Sequence, residues 1–355
     1  MTMAVHDIGD QVDRRAKARQ LHGILLVVLA VVSVTSLATG ASGTSLWSAL
    51  WRLAQGQNIS MTEAVILWEI RAPRTILGIC VGAALAVSGA VMQGLFRNPL
   101  ADPGLLGVSA GAGLGALTAI VIGGALPLGL TTVLSNAMLP VMAFVGAWVS
   151  MLLLYAVATR SGRTSVATML LAGIALGALT GAVSGLLVFH ADDLQLRELT
   201  FWSLGSLSGS SWTKVMIAGP VIMFATLMTT TLARGLNGLA LGEASAHHMG
   251  VAVQRTKNIA ILAVSAATGA AVAVSGGIGF IGIVVPHLLR LATGPDHHGL
   301  LINAALLGAS LLLFADVIAR LVVAPAELPI GIVTAVLGAP FFLWILLRRR
   351  SVVDL

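Results

Sequence analysis

Charge is scarce in this chain. Asp, Glu, Lys and Arg make up 10% of the 355 residues, against 57% hydrophobic residues and a mean hydropathy of +0.97. A soluble protein of this length needs far more charge to cover its surface, so the soluble globular classes are excluded. Cysteine is nearly missing too. Cys80 stands alone in an apolar segment, which excludes an internal disulfide and any CxxC motif and leaves it as a small packing residue. The only lysines are Lys17, Lys214 and Lys257, and none sits in a GxxxxGK[ST] context. Without a P-loop the chain cannot bind ATP that way, so any ATP-driven role needs another subunit. There is no HExxH. Aromatic residues are 5% of the chain and do not interleave with a basic stripe, so the net charge of +6 does not signal nucleic acid.

Long apolar runs fill the chain instead. A spanning helix needs roughly 20 mostly apolar residues. Candidates fall near 21–39, 72–96, 103–125, 138–159, 166–190, 212–233, 257–276, 279–293, 299–322 and 329–347, with 279–293 the shortest. The expectation is an all-α integral membrane protein of ten transmembrane helices at 21–347, between tails at 1–20 and 348–355. The small residues from Ala38 to Gly43 would suit a cleavable leader. The length of the polar start and its Asp7, Asp10 and Asp13 favour a tail before an uncleaved span. An even count puts both termini on one side, and the positive-inside rule makes that side cytoplasmic. Only Arg52, Arg71, Arg74, Arg197, Lys214 and Arg320 of the 20 basic residues are then outside.

Glycine is plentiful, at 40 residues, and recurs at small-xxx-small spacing, as at Gly78, Gly82, Ala86 and Ala90, which lets helix backbones approach closely. "LAVSG" (85–89) and "VAVSG" (272–276) echo each other in spans of opposite direction, which suggests an inverted internal repeat. The polar stretch 191–211 suits a short interfacial helix, with Trp202 and Trp212 at the membrane boundary. The spans lack the Asp/Glu/His ladder of an ion-coupled carrier. Asp316 is the main embedded acid, and its spacing from Arg320 predicts an i,i+4 ion pair. His247–His248 and His297–His298 read as solvated loop residues, and His190 and His287 as packed or hydrogen-bonded ones; no metal centre and no catalytic residue is expected.

The order of segments carries a resemblance. "RAPRTILGICVGAALAVSGAVMQGLFRNPLADPGLLGVSAGA" (71–112), "LLAGIALGAL" (170–179), "FWSLGSLSGSSW" (201–212), "ALGEASAHHMGV" (240–251), "SGGIGFIGIVVPHLLRLATGPDHH" (275–298) and "FADVIARLVVAPAELPIGIVTAVLGAPFFLWIL" (314–346) resemble the FecCD family. These are permease subunits of ABC importers for iron-siderophore, haem and cobalamin. The resemblance covers nearly everything after residue 64 and implies the cobalamin-permease-like fold of ten helices. It also implies a two-fold core of two permease copies, two ATP-binding subunits holding ATP-Mg, a periplasmic binding protein and a place in the bacterial inner membrane. No cofactor is expected on this chain.

The resemblance implies three groups of site residues. The family's binding-protein docking arginines fall on Arg71, Arg74 and Arg320. Exposed ion pairs contribute only about 0.2–1 kcal/mol each, so they would steer docking more than hold it. Snorkelling of Arg71 and Arg74 to headgroups, and neutralisation of Arg320 by Asp316, are the plainer roles. The segment 236–255 resembles the coupling helices that seat in the ATPase, implicating Leu241, Gly242, Glu243, Ala244, Ala246, His247 and Gly250, with Leu239 and Met249 as further apolar contacts. An amphipathic interfacial loop is the alternative. By resemblance to cobalamin permeases, Asn98 and Leu100 fall on a cytoplasmic gate, against a plain turn with Asn98 as an N-cap. "TSVAT" (164–168) is a further gate candidate. Haem is the expected cargo, with ferric siderophore or cobalamin as alternatives and an ion-coupled carrier as the distant rival.

Overall fold

The computed structural model describes residues 2–40, 46–123, 137–160 and 163–353. In chain order the helices are α1 (Thr2–Ala38), α2 (Leu46–Ala54), α3 (Met61–Val65), α4 (Ala72–Phe96), α5 (Val108–Gly123), α6 (Met138–Ala158), α7 (Val166–His190), α8 (Asp193–Ser203), α9 (Trp212–Thr230), α10 (Ala233–Ala240), α11 (Glu243–His248), α12 (Val253–Ser275), α13 (Ile281–Thr293), α14 (His297–Leu321) and α15 (Ile330–Val353). A two-stranded antiparallel hairpin, β1 (Thr159–Arg160) and β2 (Arg163–Thr164), joins α6 to α7 in the register Thr159↔Thr164.

Each of the ten apolar runs coincides with a helix, but they divide by length. Among the described residues, seven helical stretches are long and apolar enough to cross a membrane: Ala16–Ala38, Met61–Phe96, Met138–Ala158, Ala167–His190, Trp212–Thr230, Val253–Ser275 and His297–Leu321. Three are shorter: Val108–Gly123, Ile281–Thr293 and Ile330–Trp344. At about 1.5 Å per residue, a 13-residue helix reaches about 20 Å, short of the hydrocarbon thickness. The missing turns were diverted into irregular backbone. Before α5 the chain makes a 3₁₀ turn (Pro103–Leu106) started by Asp102, and before α13 it runs through Gly276–Phe280 with Phe280 at φ 69°. Such backbone is tolerated at membrane depth where protein surrounds it.

Glycine sets the core packing. α4 crosses α14 where Gly82 faces Gly308, and α5 crosses α6 where Gly111 faces Gly146; a Cβ at any of these would strike the opposing backbone. The expected small-residue stripe on α4 therefore does its packing as read, with Gly78 held against Leu207 and Leu313. The stretch containing α4 is 78% buried over its most apolar window, α12 72% and α14 61%, whereas α1 and α7 are 11%. Three helices thus form the centre and two stand at the margin. Large apolar side chains such as Val27, Leu171, Ile174, Phe189 and Phe224 are exposed, as suits an outer face turned to lipid or another chain.

Other expectations are refined. Helix runs unbroken from Thr2 through the polar start into the first apolar stretch. The stretch 191–211 does hold a short helix, α8, opened by a capping box between Asp192 and Gln195. Trp212 packs against Trp68 in a tilted arrangement, 5.1 Å between ring centroids, and its indole N–H donates to the Trp68 carbonyl.

Candidate functional site

Chemistry-bearing residues gather at the two ends of the bundle. At one end α1 and α14 finish and α4 begins. Residues Ser36 to Thr39 end the first apolar helix, so their carbonyls lack intrahelical partners. Two guanidiniums take them. Arg71 donates to the carbonyls of Leu37 (2.8 Å) and Ala38 (3.2 Å), and Arg320 to those of Ser36 (3.1 Å) and Thr39 (2.9 Å). Arg320 also reaches the Ser36 hydroxyl at 3.0 Å, and that hydroxyl shares a hydrogen bond with Thr75. Cations belong at a helix C-terminus, where the dipole is negative. Gly40 leaves the room required, since a Cβ there would press on the Arg71 guanidinium.

Asp316 sits between two of these cations with no exposed surface. It accepts from Arg74 Nη2 at 2.9 Å and pairs with Arg320 Nη2 at 3.0 Å, while Arg74 Nη1 also pairs with Glu327 at 2.9 Å. The predicted i,i+4 pair is therefore present, inside a larger network. The three expected docking arginines do come together, but only 3% of Arg71, 6% of Arg74 and 3% of Arg320 is exposed. They are committed to partners within the chain, and Arg74 cannot be snorkelling. Sequence reading missed Ser36 and Glu327, which nothing marks as partners until the fold brings them in.

At the opposite end α4 stops at Arg97, which adopts φ 50°. Asn98 is not a helix N-cap: its Oδ1 accepts from the Leu100 N–H (3.0 Å), closing a turn, and Leu100 is left 37% exposed. The cap is Asp102, whose Oδ1 accepts from the Gly104 N–H at 2.8 Å. This turn packs on the start of α13, where a Cβ on Gly282 would meet Asp102 Oδ2.

Beside it, α10 and α11 form an elbow. Gly242, at φ 105°, makes the corner and Gly250, at φ 76°, the exit, both in the left-handed region glycine favours. α10 buries Leu236 and Leu239, so Leu239 offers nothing to a partner. Leu241 is 67% and Met249 47% exposed, and Glu243, Ala244, His247 and His248 are exposed with them. Ala246 points the other way and is fully buried against Gly238. Of the expected coupling residues it is a packing residue, because α11 must turn one face inward to dock. Glu243 pairs with Lys257 at 2.7 Å.

The histidine reading needs correction. His297 is buried, and both its backbone N–H and its Nδ1 meet Asn237 Oδ1, at 3.0 and 2.8 Å. The α14 start folds under α10, which removes this ring from water. His298 remains exposed and pairs with Asp296 at 2.9 Å. His287 packs edge-on against Phe341.

Comparison with known proteins gives a consistent set. The model of the FecCD transport family matches residues 25–348. The chain is 45% identical over 339 residues to the hemin transport system permease protein HmuU of Yersinia pestis, covering 95% of this chain and 98% of that one. It is 43% identical to the vitamin B12 import system permease protein BtuC of Shigella boydii, over 92% and 94% of the two chains. A solved structure described as an inward-facing conformation of a metal-chelate type ABC transporter aligns with a TM-score of 0.80 at 30% identity, covering 93% of this chain and 99% of that one.

Proposed function

Because the chain belongs to the FecCD transport family and is thus an ABC importer permease, we propose that it carries haem from a periplasmic binding protein to the cytoplasm. The observation carrying the choice of cargo is the 45% identity to a hemin permease across nearly the full length of both chains. Ferric siderophore or cobalamin is the second reading, favoured by the 43% identity to a vitamin B12 permease over almost as much of the chain.

In this reading all ten apolar helices cross the membrane, the three shorter ones by virtue of the protein around them, and both termini are cytoplasmic. The elbow end then faces the cytoplasm and the Arg71 end the periplasm. The matching order of a long helix, an irregular break, a short helix and a long helix in α4–α6 and in α12–α14 supports an inverted repeat. The exposed Leu241, Glu243, Ala244, His247 and Met249 form the surface that seats in a separate ATPase, which holds ATP-Mg. Gly242 and Gly250 shape that surface and Ala246 anchors it. Asn98 and Leu100, on the same side, serve as the gate.

Two copies make the pathway. Support comes from α7, which buries little within its own protomer and has open space beside Gly177, Gly181 and Gly185, where a second helix could approach closely. At the periplasmic end the buried cluster itself sets three arginines against Asp316 and Glu327, a local net charge of +1 that suits an acidic lobe of the binding protein. Because these arginines are buried, they act as a field that steers the encounter, not as side chains that grip the partner.

The test is uptake into proteoliposomes holding the permease with its co-purified ATPase and binding protein, offered haem, a ferric siderophore and cobalamin in parallel. ATP-dependent haem uptake is expected. Preference for another chelate would move the cargo assignment, and uptake by the permease alone on an ion gradient would overturn the importer mechanism.

A further inference from the structure

Lys257 is as buried as Arg71 and Arg320, at 3% exposed, but it lies in the second turn of α12, near a helix N-terminus instead of a C-terminus. A cation near a helix N-terminus opposes the dipole, and its burial carries a desolvation cost of several kcal/mol. An apolar residue would pack there more cheaply, so the charge calls for a reason beyond packing. Its partners supply one. Lys257 Nζ donates to Glu243 Oε1 on α11 (2.7 Å) and to the Thr164 carbonyl on β2 (3.0 Å).

Thr164 is gripped a second time from the same helix. Its N–H donates to Gln254 Oε1 (3.2 Å), and its hydroxyl accepts from Gln254 Nε2 (2.7 Å). Next in sequence, Ser165 is the N-cap of α7, accepting from the Thr168 N–H at 3.3 Å. A short chain of strong contacts therefore runs from the exposed elbow to the first residue of α7. This is the long helix that, with α1, has the least support from its own protomer.

We propose that Lys257, with Gln254, is a positioning residue that fastens the α7 N-terminus to α11, so that displacement of the elbow by the ATPase is passed directly to α7. The inference rests on the elbow being the ATPase contact, as argued above. A salt bridge to Glu243 alone would only brace the elbow. The shared donation to the Thr164 carbonyl makes the ammonium a link between two elements that do not otherwise adjoin in sequence.

The test uses the full permease co-purified with its ATPase. A single cysteine at exposed Ala167, with Cys80→Ser elsewhere, reports on the α7 N-terminus through its labelling rate with and without nucleotide. Gln254→Leu cuts one grip on Thr164 and leaves the elbow untouched, and Lys257→Met cuts the other together with the ion pair to Glu243. The expected result is normal ATPase co-purification, loss of the nucleotide-dependent change at residue 167, and about tenfold less uptake per ATP hydrolysed, the scale of one charge-assisted hydrogen bond. Lys257→Arg, which can still donate to both oxygens, should restore coupling. A residue that only stabilised the fold would lower the amount of active complex and leave uptake per ATP unchanged.

Should Lys257→Met fail to fold, Gln254→Leu against Lys257→Arg carries the comparison. Wild-type uptake per ATP in Lys257→Met or, failing that, in Gln254→Leu overturns the linkage alone. Failure of the wild-type chain to co-purify with the ATPase would instead overturn the importer reading on which the linkage rests.

Discussion

The two ends of the bundle handle polar groups in opposite ways. At the Arg71 end, three guanidiniums and Asp316 are sealed among helix termini, with Glu327 at their edge. At the elbow end, Leu241, Glu243, Ala244, His247 and Met249 stand outside the fold on two short helices turned by glycine. One end consumes its charge in holding three helices together; the other keeps the Lys257–Glu243 pair but turns Leu241, Ala244, His247 and Met249 outward. Removing a group from the first should therefore cost stability, and from the second, partnership.

The comparison can be broken most decisively at Asp316. Asp316→Ala leaves Arg74 and Arg320 buried without their shared acid, and a loss of about 3–5 kcal/mol is expected, read as a fall in thermal stability in detergent. A variant as stable as wild type would mean that the sealed end is not a structural clamp. Leu241→Asp is the mirror test. It should leave stability within about 0.5 kcal/mol and weaken ATPase co-purification by tenfold or more, roughly the effect of losing one exposed apolar anchor. On the inward face of the same short helix, Ala246→Leu should instead destabilise by about 1–3 kcal/mol through overpacking, which separates the two faces of α11.

Arg71→Gln sharpens the comparison at the sealed end. It keeps a hydrogen-bond donor for the α1 carbonyls while removing one charge, so stability should drop by no more than about 1 kcal/mol. Association with the binding protein should slow several-fold at low salt and less at physiological salt, measured by stopped flow. Reversal at Arg74 is a poorer probe, because a carboxylate placed beside Asp316 would damage the fold first.

The smallest effect is expected at Asp296, the N-cap of α14. Burial alone would raise its pKa, but hydrogen bonds from Asn237 and His298 bring it down to about 2. A lowered folded-state value means that its contribution is present above the ordinary carboxylate range and is lost as pH falls from about 4 toward 2. Because the side chain is 41% exposed, the amount is a few tenths of a kcal/mol, visible as a pH-dependent difference in stability between wild type and Asp296→Asn.

Much of the architecture was legible in the sequence because membrane spans obey a local rule. Each apolar run became a helix, and even the brevity of 279–293 was visible. The glycine stripe on α4 was legible for the same reason, since close packing demands small residues at fixed spacing. What the sequence concealed were partners distant along the chain. Arg71 and Arg320 looked available to a partner because the helix end they cap is separated from them by 34 and 284 residues. Ala244 and Ala246 are alike in composition, and only the docking of α11 decides which is buried. The α1 extension was hidden because the acidic and basic residues before Leu21 suggest solvated chain, although they are compatible with helix. Lys257 resembled any cytoplasmic lysine until Thr164 was found beside it.

The clamp on α1 has a bearing on how the protein is made. α1 ends in carbonyls whose second guanidinium, Arg320, is not translated until 284 residues later. Between the synthesis of α1 and that of α14 this terminus lacks its second cation, and it becomes fixed only when α14 arrives. A nascent chain halted before residue 320 should thus leave the end of α1 open to proteolytic attack near Thr39, and one halted after α14 has inserted should not.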